Sequence, residues 1–243
     1  MSEFVADWLI PDWPAPVGIK ACVTTRSGGV SVAPFDSFNL GDHVDDDPDA
    51  VAQNRSTLTT ALNVQPAWLK QVHGVNVVEA LPARVMQADA SWTKTPGIAC
   101  TIMTADCLPI LLTNREGNQV VAVHEGWRGL AGGIVENALA EFDSEVMAWL
   151  GPAIGPREFE VGQDVLEAFT AFDPQAAEAF TPREQAGKWL ADMAMLATQR
   201  LNKAGVSQVY QSGLCTVEDP QRFYSYRRDG ITGRQATFIW IEE

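Results

Sequence analysis

The chain has 243 residues, 46% of them hydrophobic, enough to bury a substantial core in one large domain or two small ones. Its 31 acidic residues outweigh 17 basic ones, for a formal net charge of −14. Such a surface repels phosphate backbones, which excludes nucleic acid as a main partner, although a local arginine cluster can still hold a small anion.

No stretch approaches the roughly 18 consecutive apolar residues of a membrane helix, so no membrane partner is expected. The N-terminus, MSEFVADWLIPDWPAPVG, has no basic n-region or long apolar run and does not read as a signal peptide. Residues 1–16, with Trp8, Trp13 and their prolines, read as an arm packed on the body. The four cysteines, Cys22, Cys100, Cys107 and Cys215, form no CxxC pair. Free thiols in a reducing cytoplasm are the expectation.

In chain order, Val17–Thr24 reads as a strand, followed by a turn at Ser27–Gly29. Pro48–Leu62 reads as a helix with Asp47 as N-cap and proline at its first position. Trp68–His73 and Val75–Ala80 look like strands around Gly74. Gly97–Thr104, Leu108–Thr113 and Gln119–His124 are apolar runs bounded by turn residues, and the last is buried on both faces. Leu130–Phe142, Val165–Phe172 and Lys188–Lys203 read as helices, and Val146–Leu150, Val206–Gln211 and Gln235–Ile241 as strands. The mixture is α+β, with more than one packed layer and no clean βαβ repeat. Its glycines match neither a dinucleotide fingerprint nor a P-loop.

His73, Cys107 and His124 share a placement at strand ends or strand-to-turn junctions, where one sheet can bring distant residues together. A cysteine and two histidines make a three-ligand site with an open fourth position, the arrangement of a catalytic zinc. The alternatives are a core cysteine with hydrogen-bonded histidines, or a Cys/His dyad with Cys107 as nucleophile. Copper is a further reading, but Met103 sits two pleats from Cys107, too far for an easy axial ligand. Three histidines in all are too few for a multinuclear copper enzyme. His43, among Asp42, Asp45, Asp46 and Asp47, belongs to a solvated acidic loop.

The motifs TTRSGGVS (24–31), FDSFNLGDH (35–43), QVHG (71–74), TADCLPILL (104–112), HEGWRGL (124–130), LGPAIGP (150–156) and YSYRRD (224–229) stand in one order. Together they resemble the YfiH or laccase-domain family, over nearly the whole chain from about Trp13 to Ile241. Members have been described as polyphenol oxidases, as purine nucleoside enzymes and as editing hydrolases of peptidoglycan precursors. The resemblance implies one catalytic domain over residues 1–243. It implies an α+β layered sandwich of mixed sheets with helices packed on them, distantly like a deamidating bacterial toxin. It also implies one zinc held by His73, Cys107 and His124, with copper the lesser option. Glu125 departs from the small residue usual after that histidine, and we expect it to point outward on the turn.

The activity implied is phosphorolysis of adenosine, inosine, guanosine and methylthioadenosine, with adenosine deamination beside it. Deamination needs metal-activated water and a proton-shuttling carboxylic acid. Asp106 is the candidate, provided the chain bends there; the other role open to it is to orient a histidine. Phosphate suits the paired donors of arginine. Arg26, beside a possible anion nest at Ser27–Gly29, and Arg128 are candidates. Only one of Arg227 and Arg228 faces inward if that segment is extended, and Tyr224 and Tyr226 then share a face for stacking on a base. Asn39 could bond a ribose hydroxyl or fix its own turn. The expected partners are thus a nucleoside and phosphate, with a precursor-editing hydrolase at the same three residues as the alternative and a copper oxidase behind it. Nothing in the sequence sets the oligomeric state.

Overall fold

In the computed structural model, which describes residues 7–243, β1 (Ile19–Val23) and α1 (Pro48–Leu62) form where expected. The Asp47 carboxylate accepts from the Asp49 N–H at the start of α1, and Asn63 closes the helix in the left-handed conformation. Five short strands follow: β2 (Gln65–Ala67), β3 (Leu69–Lys70), β4 (Val77–Glu79), β5 (Met86–Gln87) and β6 (Ala90–Thr93). The two longer strands expected around Gly74 are cut short because His73 turns the backbone with φ 59°.

The long apolar runs give β7 (Ile98–Thr104), β8 (Leu108–Asn114), β9 (Val120–Glu125) and β10 (Val146–Leu150). Every residue of β8, β9 and β10 is buried, as strands covered on both faces require.

Two expected helices are divided. The Leu130–Phe142 stretch contributes to α2 (Trp127–Gly132) and α3 (Ile134–Leu139), separated by Gly133 at φ 96°, a conformation that ends a helix and suits glycine. β11 (Glu160–Gly162), α4 (Gln163–Thr170) and β12 (Phe180–Pro182) come next. Lys188–Lys203 is not one helix but β13 (Lys188–Ala191) followed by α5 (Met193–Lys203). Asp192 is extended and its carboxylate caps the Met195 N–H, so the helix starts there, while β13 pairs with β11 and β12. β14 (Gln208–Gln211), α6 (Tyr226–Asp229) and β15 (Gln235–Ile241) complete the chain.

The fold is α+β and layered. One sheet has the order β1-β15-β7-β2 and a larger one β14-β10-β8-β9-β6-β4; each mixes parallel and antiparallel pairs. Ile102 and Ile239 of the first sheet pack against Leu111 and Trp149 of the second. The outer face of the first carries Phe238 and Met103 against Leu58 of α1 and Trp8. The outer face of the second packs Ile110, Val121 and Val123 on Leu130, Ile134 and Leu196 of the helices. Each fully buried aliphatic side chain contributes about 1.5–3 kcal/mol. Within the expected arm, Leu9 pairs with Val23 and Trp8 stacks on Phe38; residues 1–6 lie outside the described residues. Among the described residues no helix is long and apolar enough to cross a membrane.

This layering sets up a seam. The turn Ala105–Cys107 carries the chain from β7 in one sheet to β8 in the other. Leu108 pairs with Glu125 and Pro109 with His124, so the start of β8 and the end of β9 lie side by side.

Candidate functional site

That register brings Cys107 to His124, and the β3–β4 connection brings His73 to both. The three ligand atoms lie within 4.8 Å of one another. Cys107 Sγ is 3.7 Å from His73 Nε2, and the two imidazoles meet edge to face with centroids 4.8 Å apart. Gly126 permits this approach: a Cβ there would come 2.6 Å from His73 Cδ2 and 3.6 Å from Cys107 Sγ. Two nitrogens and one thiol sulfur form a donor set suited to zinc, with a fourth position left for a ligand.

The residue that organises the group is Asp89, which sequence reasoning missed. It is fully buried ahead of β6, and its carboxylate accepts from the N–H groups of Val72, His73 and Gly74 at 2.8–3.2 Å. It also lies 2.9 Å from His124 Nδ1. One carboxylate therefore shapes the loop bearing His73 and fixes the ring of His124 with Nε2 turned toward the thiol. The signal was a lone carboxylate between Ala88 and Ala90 in QADASW, an odd place for a charge without a partner.

The charges reinforce one another. Burial works to raise the Asp89 carboxyl, but the bonds from His124, Gly74 and Val72 outweigh it and hold the group below its ordinary value. Burial works against the Cys107 thiolate too, yet His124 and His73 draw its pKa down to about 6. Burial disfavours a charged His124, and Cys107 with Asp89 nevertheless lifts it to about 9. Each partner therefore favours the charged form of the other, thiolate for Cys107 and imidazolium for His124.

His73 and Cys107 border a cavity of about 310 Å³ whose walls include Trp127, Arg128, Phe159 and Tyr226, with His124 buried behind them. Asp106 also borders it, with φ 95° supplying the bend that its place beside Cys107 requires. It orients no histidine. Its Oδ1 accepts from the Thr216 hydroxyl at 2.7 Å and its Oδ2 from the Arg227 N–H at 2.6 Å, which anchors α6. Arg128 is exposed at the cavity, lies over the Trp127 ring and has no ion pair among the described residues. Arg227 lines the cavity as well, with its guanidinium tied to the carbonyls of Glu158 and Glu160.

Several expectations are corrected. Glu125 does not point outward: it is fully buried at the cavity wall, neither carboxyl oxygen has a hydrogen-bond partner, and burial raises its pKa well above the ordinary value. Its odd-numbered place on β9 puts it on the face of Val121 and Val123, under the helices. Tyr224 and Tyr226 do not share a face, because Ser225 caps α6 and the chain turns helical. Tyr224 is buried with its hydroxyl on the Phe35 carbonyl, whereas Tyr226 is exposed. Arg26 stands away from the cavity, bonded to the Asp36 and Pro220 carbonyls and stacked on Tyr224. In the supposed anion nest at Ser27–Gly29 the Gly29 amide bonds Ser37 Oγ instead, and the next amide, that of Val30, bonds Asn54 Oδ1. Asn39 is buried and fixes its own turn, with Oδ1 on the Gly41 N–H and Nδ2 on the Gly41 carbonyl. Met103 faces α1 and bonds Arg55, which removes it from the copper set.

The family described as multi-copper polyphenol oxidoreductase laccase matches residues 20–242. The chain belongs to this family, also called YfiH. A Pseudomonas aeruginosa protein named purine nucleoside phosphorylase is 57% identical over 239 residues, covering 97% of this chain and 99% of its own. An Escherichia coli K12 protein named purine nucleoside phosphorylase YfiH is 49% identical, covering 96% and 98%. The crystal structure of a Neisseria meningitidis DUF152 protein superposes with a TM-score of 0.95 at 46% identity, covering 98% of this chain and all of that one. YlmD from Geobacillus stearothermophilus superposes at 0.91 with 31% identity, covering 97% and 96%. The whole YfiH-family fold is thus present, with a His/Cys/His group that could hold a metal at its seam.

Proposed function

We propose that this YfiH-family chain is a zinc-dependent purine nucleoside phosphorylase with adenosine deaminase activity. The observation that carries the reading is the His73, Cys107 and His124 group, of which His73 and Cys107 form part of the wall of a cavity of about 310 Å³. Its support from relatives is the name purine nucleoside phosphorylase on proteins 49–57% identical over nearly the full chain. Adenosine, inosine, guanosine and methylthioadenosine are the proposed nucleosides.

When bound, zinc supplies a Lewis acid at the cavity wall. The rest is the work of the chain. Asp89 orients the His124 ring and holds the backbone of the loop that carries His73, and Gly126 leaves room for His73. Trp127, Phe159 and Tyr226 give the cavity apolar walls for a flat base. Arg128 at the opening offers a cation that draws anions toward the cavity. Asp106 is the proposed proton carrier; its two hydrogen bonds fix it at the cavity and leave a second lone pair on each oxygen. Arg227, held by two carbonyls, shapes the wall beside it. We place the protein in the cytoplasm as a single catalytic domain, a reading consistent with four unpaired thiols.

A second reading, hydrolysis of a peptidoglycan precursor with Cys107 as nucleophile, is favoured by a thiol drawn down to about 6 beside two imidazoles. Product analysis separates the two. Adenosine and phosphate incubated with zinc-loaded protein should yield adenine with ribose 1-phosphate, and inosine from the deamination branch, and a Cys107→Ala preparation should yield neither. Absence of both products from fully loaded protein would refute the nucleoside reading.

A further inference from the structure

Beside the metal-bearing cavity lies a half-buried cation, Arg234, with no ion pair among the described residues. Gln235, the first residue of β15, pairs with Thr104 at the end of β7, so Arg234 stands level with Ala105, next to Asp106 and Cys107. Its stem lies against Gly41, where a Cβ would come 2.8 Å from Arg234 Cγ. Nη1 donates to the carbonyls of Thr232 and Gly233 at 3.0 and 2.9 Å. Among the described residues, Nε and Nη2 have no partner and no carboxylate forms an ion pair with the guanidinium. Burial works to lower its pKa while the charges of Cys107 and Asp106 work to raise it, so the guanidinium is in electrostatic reach of the metal-ligand group.

Arg234 lines a cavity of about 480 Å³ together with Phe35, His43, Tyr226 and Thr232. Tyr226 lines the metal-bearing cavity too, so the two spaces share a wall residue. The Thr232 hydroxyl is buried and has no hydrogen-bond partner. His43 contributes an imidazole whose Nδ1 is 3.5 Å from Asp42, while Asp42 also pairs with Arg55. The carboxylate of the lining, Asp45, is solvent-exposed.

The two free donor nitrogens of this guanidinium are not buried, so they are open to an incoming anion. A planar fork beside a free hydroxyl and an imidazole suits a tetrahedral oxyanion. On a chain of net charge −14, an anion needs such a local receptor against the general field. Arg26, the other inner candidate, is already bonded to protein carbonyls.

We propose that the cavity between Tyr226 and Arg234 binds inorganic phosphate, with the Arg234 guanidinium and Thr232 hydroxyl as receptors, and delivers it to the nucleoside in the adjoining cavity. The role rests on the phosphorylase reading. A phosphate oxygen forms a bond to ribose C1′ as the C1′–N9 bond breaks. The electron pair leaves with the purine, which takes up a proton, and the products are ribose 1-phosphate and free base. No oxidant or reductant is involved.

The test is calorimetric titration of inorganic phosphate into zinc-loaded parent, Arg234→Gln, Arg234→Lys, Thr232→Val and Arg128→Ala proteins, with phosphate and adenosine KM measured on the same preparations. Loss of a charge-assisted pair predicts phosphate binding weaker by about tenfold or more in Arg234→Gln. Phosphate KM should rise by the same factor with adenosine KM unchanged, and Arg234→Lys should fall between. If Arg234→Gln does not fold, Arg234→Lys and Thr232→Val decide, each being expected to weaken phosphate severalfold. Parent-like phosphate binding in these variants, or loss in Arg128→Ala alone, would overturn the proposal. No binding by the parent at about 10 mM phosphate would do the same. Displacement of phosphate by adenosine 5′-monophosphate would overturn it in favour of a phosphate ester. The underlying reading fails separately: a parent that binds phosphate through Arg234 yet forms no ribose 1-phosphate keeps the anion site and loses the phosphorylase assignment.

Discussion

Replacing Asp89 with asparagine should damage the site more than any change of similar size. The carboxylate takes three backbone N–H groups and the His124 ring from a fully buried position. An asparagine presents one acceptor oxygen and one NH2, so a donor must face donors. With the amide oxygen in the Oδ1 place the Gly74 N–H loses its partner, and in the Oδ2 place the His73 N–H and the His124 ring do, at about 1–3 kcal/mol each. The expected destabilisation is about 1–6 kcal/mol, a fall in Tm of roughly 2–20 °C for a chain of this size. The His73 loop and the His124 ring loosen together, and loss of such a supporting carboxylate typically lowers metal affinity about 10–100-fold. Thermal unfolding of the metal-free protein reads the first effect, and competition with a chromogenic chelator reads the second. Excess zinc should restore part of the lost activity. An Asp89→Asn protein with parental Tm and zinc affinity would refute the claim that this carboxylate builds the site.

Gly126→Ala should retain the fold but push His73 aside, because its methyl group would lie 2.6 Å from the ring; chelator competition should show weakened zinc binding. In metal-free protein, iodoacetamide should modify Cys107 with a rate rising through pH about 6, since His124 and His73 favour the thiolate; a midpoint near 9 would contradict this, and bound zinc should protect the thiol. Zinc binding should weaken as pH falls through about 9, because the raised His124 must lose its proton to act as a ligand, and more steeply below about 6, where the thiol regains its own. Stringent chelation should abolish nucleoside cleavage and zinc should restore it, whereas survival after chelation with loss on alkylation would favour Cys107 as a nucleophile.

What the sequence made legible follows the strength of its local signals. α1 is read correctly because Asp47 and Pro48 mark its start and Asn63 takes the closing left-handed turn. β8, β9 and β10 are read correctly because unbroken apolar runs between turns suit strands covered on both faces. The helix divisions depend on conformations that residue type only permits: Gly133 could have been helical but is at φ 96°, and Asp192 acts as a cap rather than a helix residue. The motifs directed attention to His73, Cys107 and His124, and the fold brings all three together. Asp89 stayed hidden because its partners are backbone N–H groups and a ring 35 residues away, which no spacing rule connects. Arg26 and Asn39 misled because a polar side chain near a turn serves the turn as readily as a ligand. Glu125 misled because a carboxylate at a strand end is usually solvated, and here the helices cover it.

The central claim is that one zinc on His73, Cys107 and His124 drives nucleoside cleavage. It is tested most directly by titrating zinc into chelated protein and following adenine and ribose 1-phosphate from adenosine and phosphate by chromatography. The account predicts product formation that rises to a plateau at one zinc per chain in the parent and is absent at every zinc concentration in Cys107→Ala. Cleavage by metal-free protein, or none with the site filled, would contradict it.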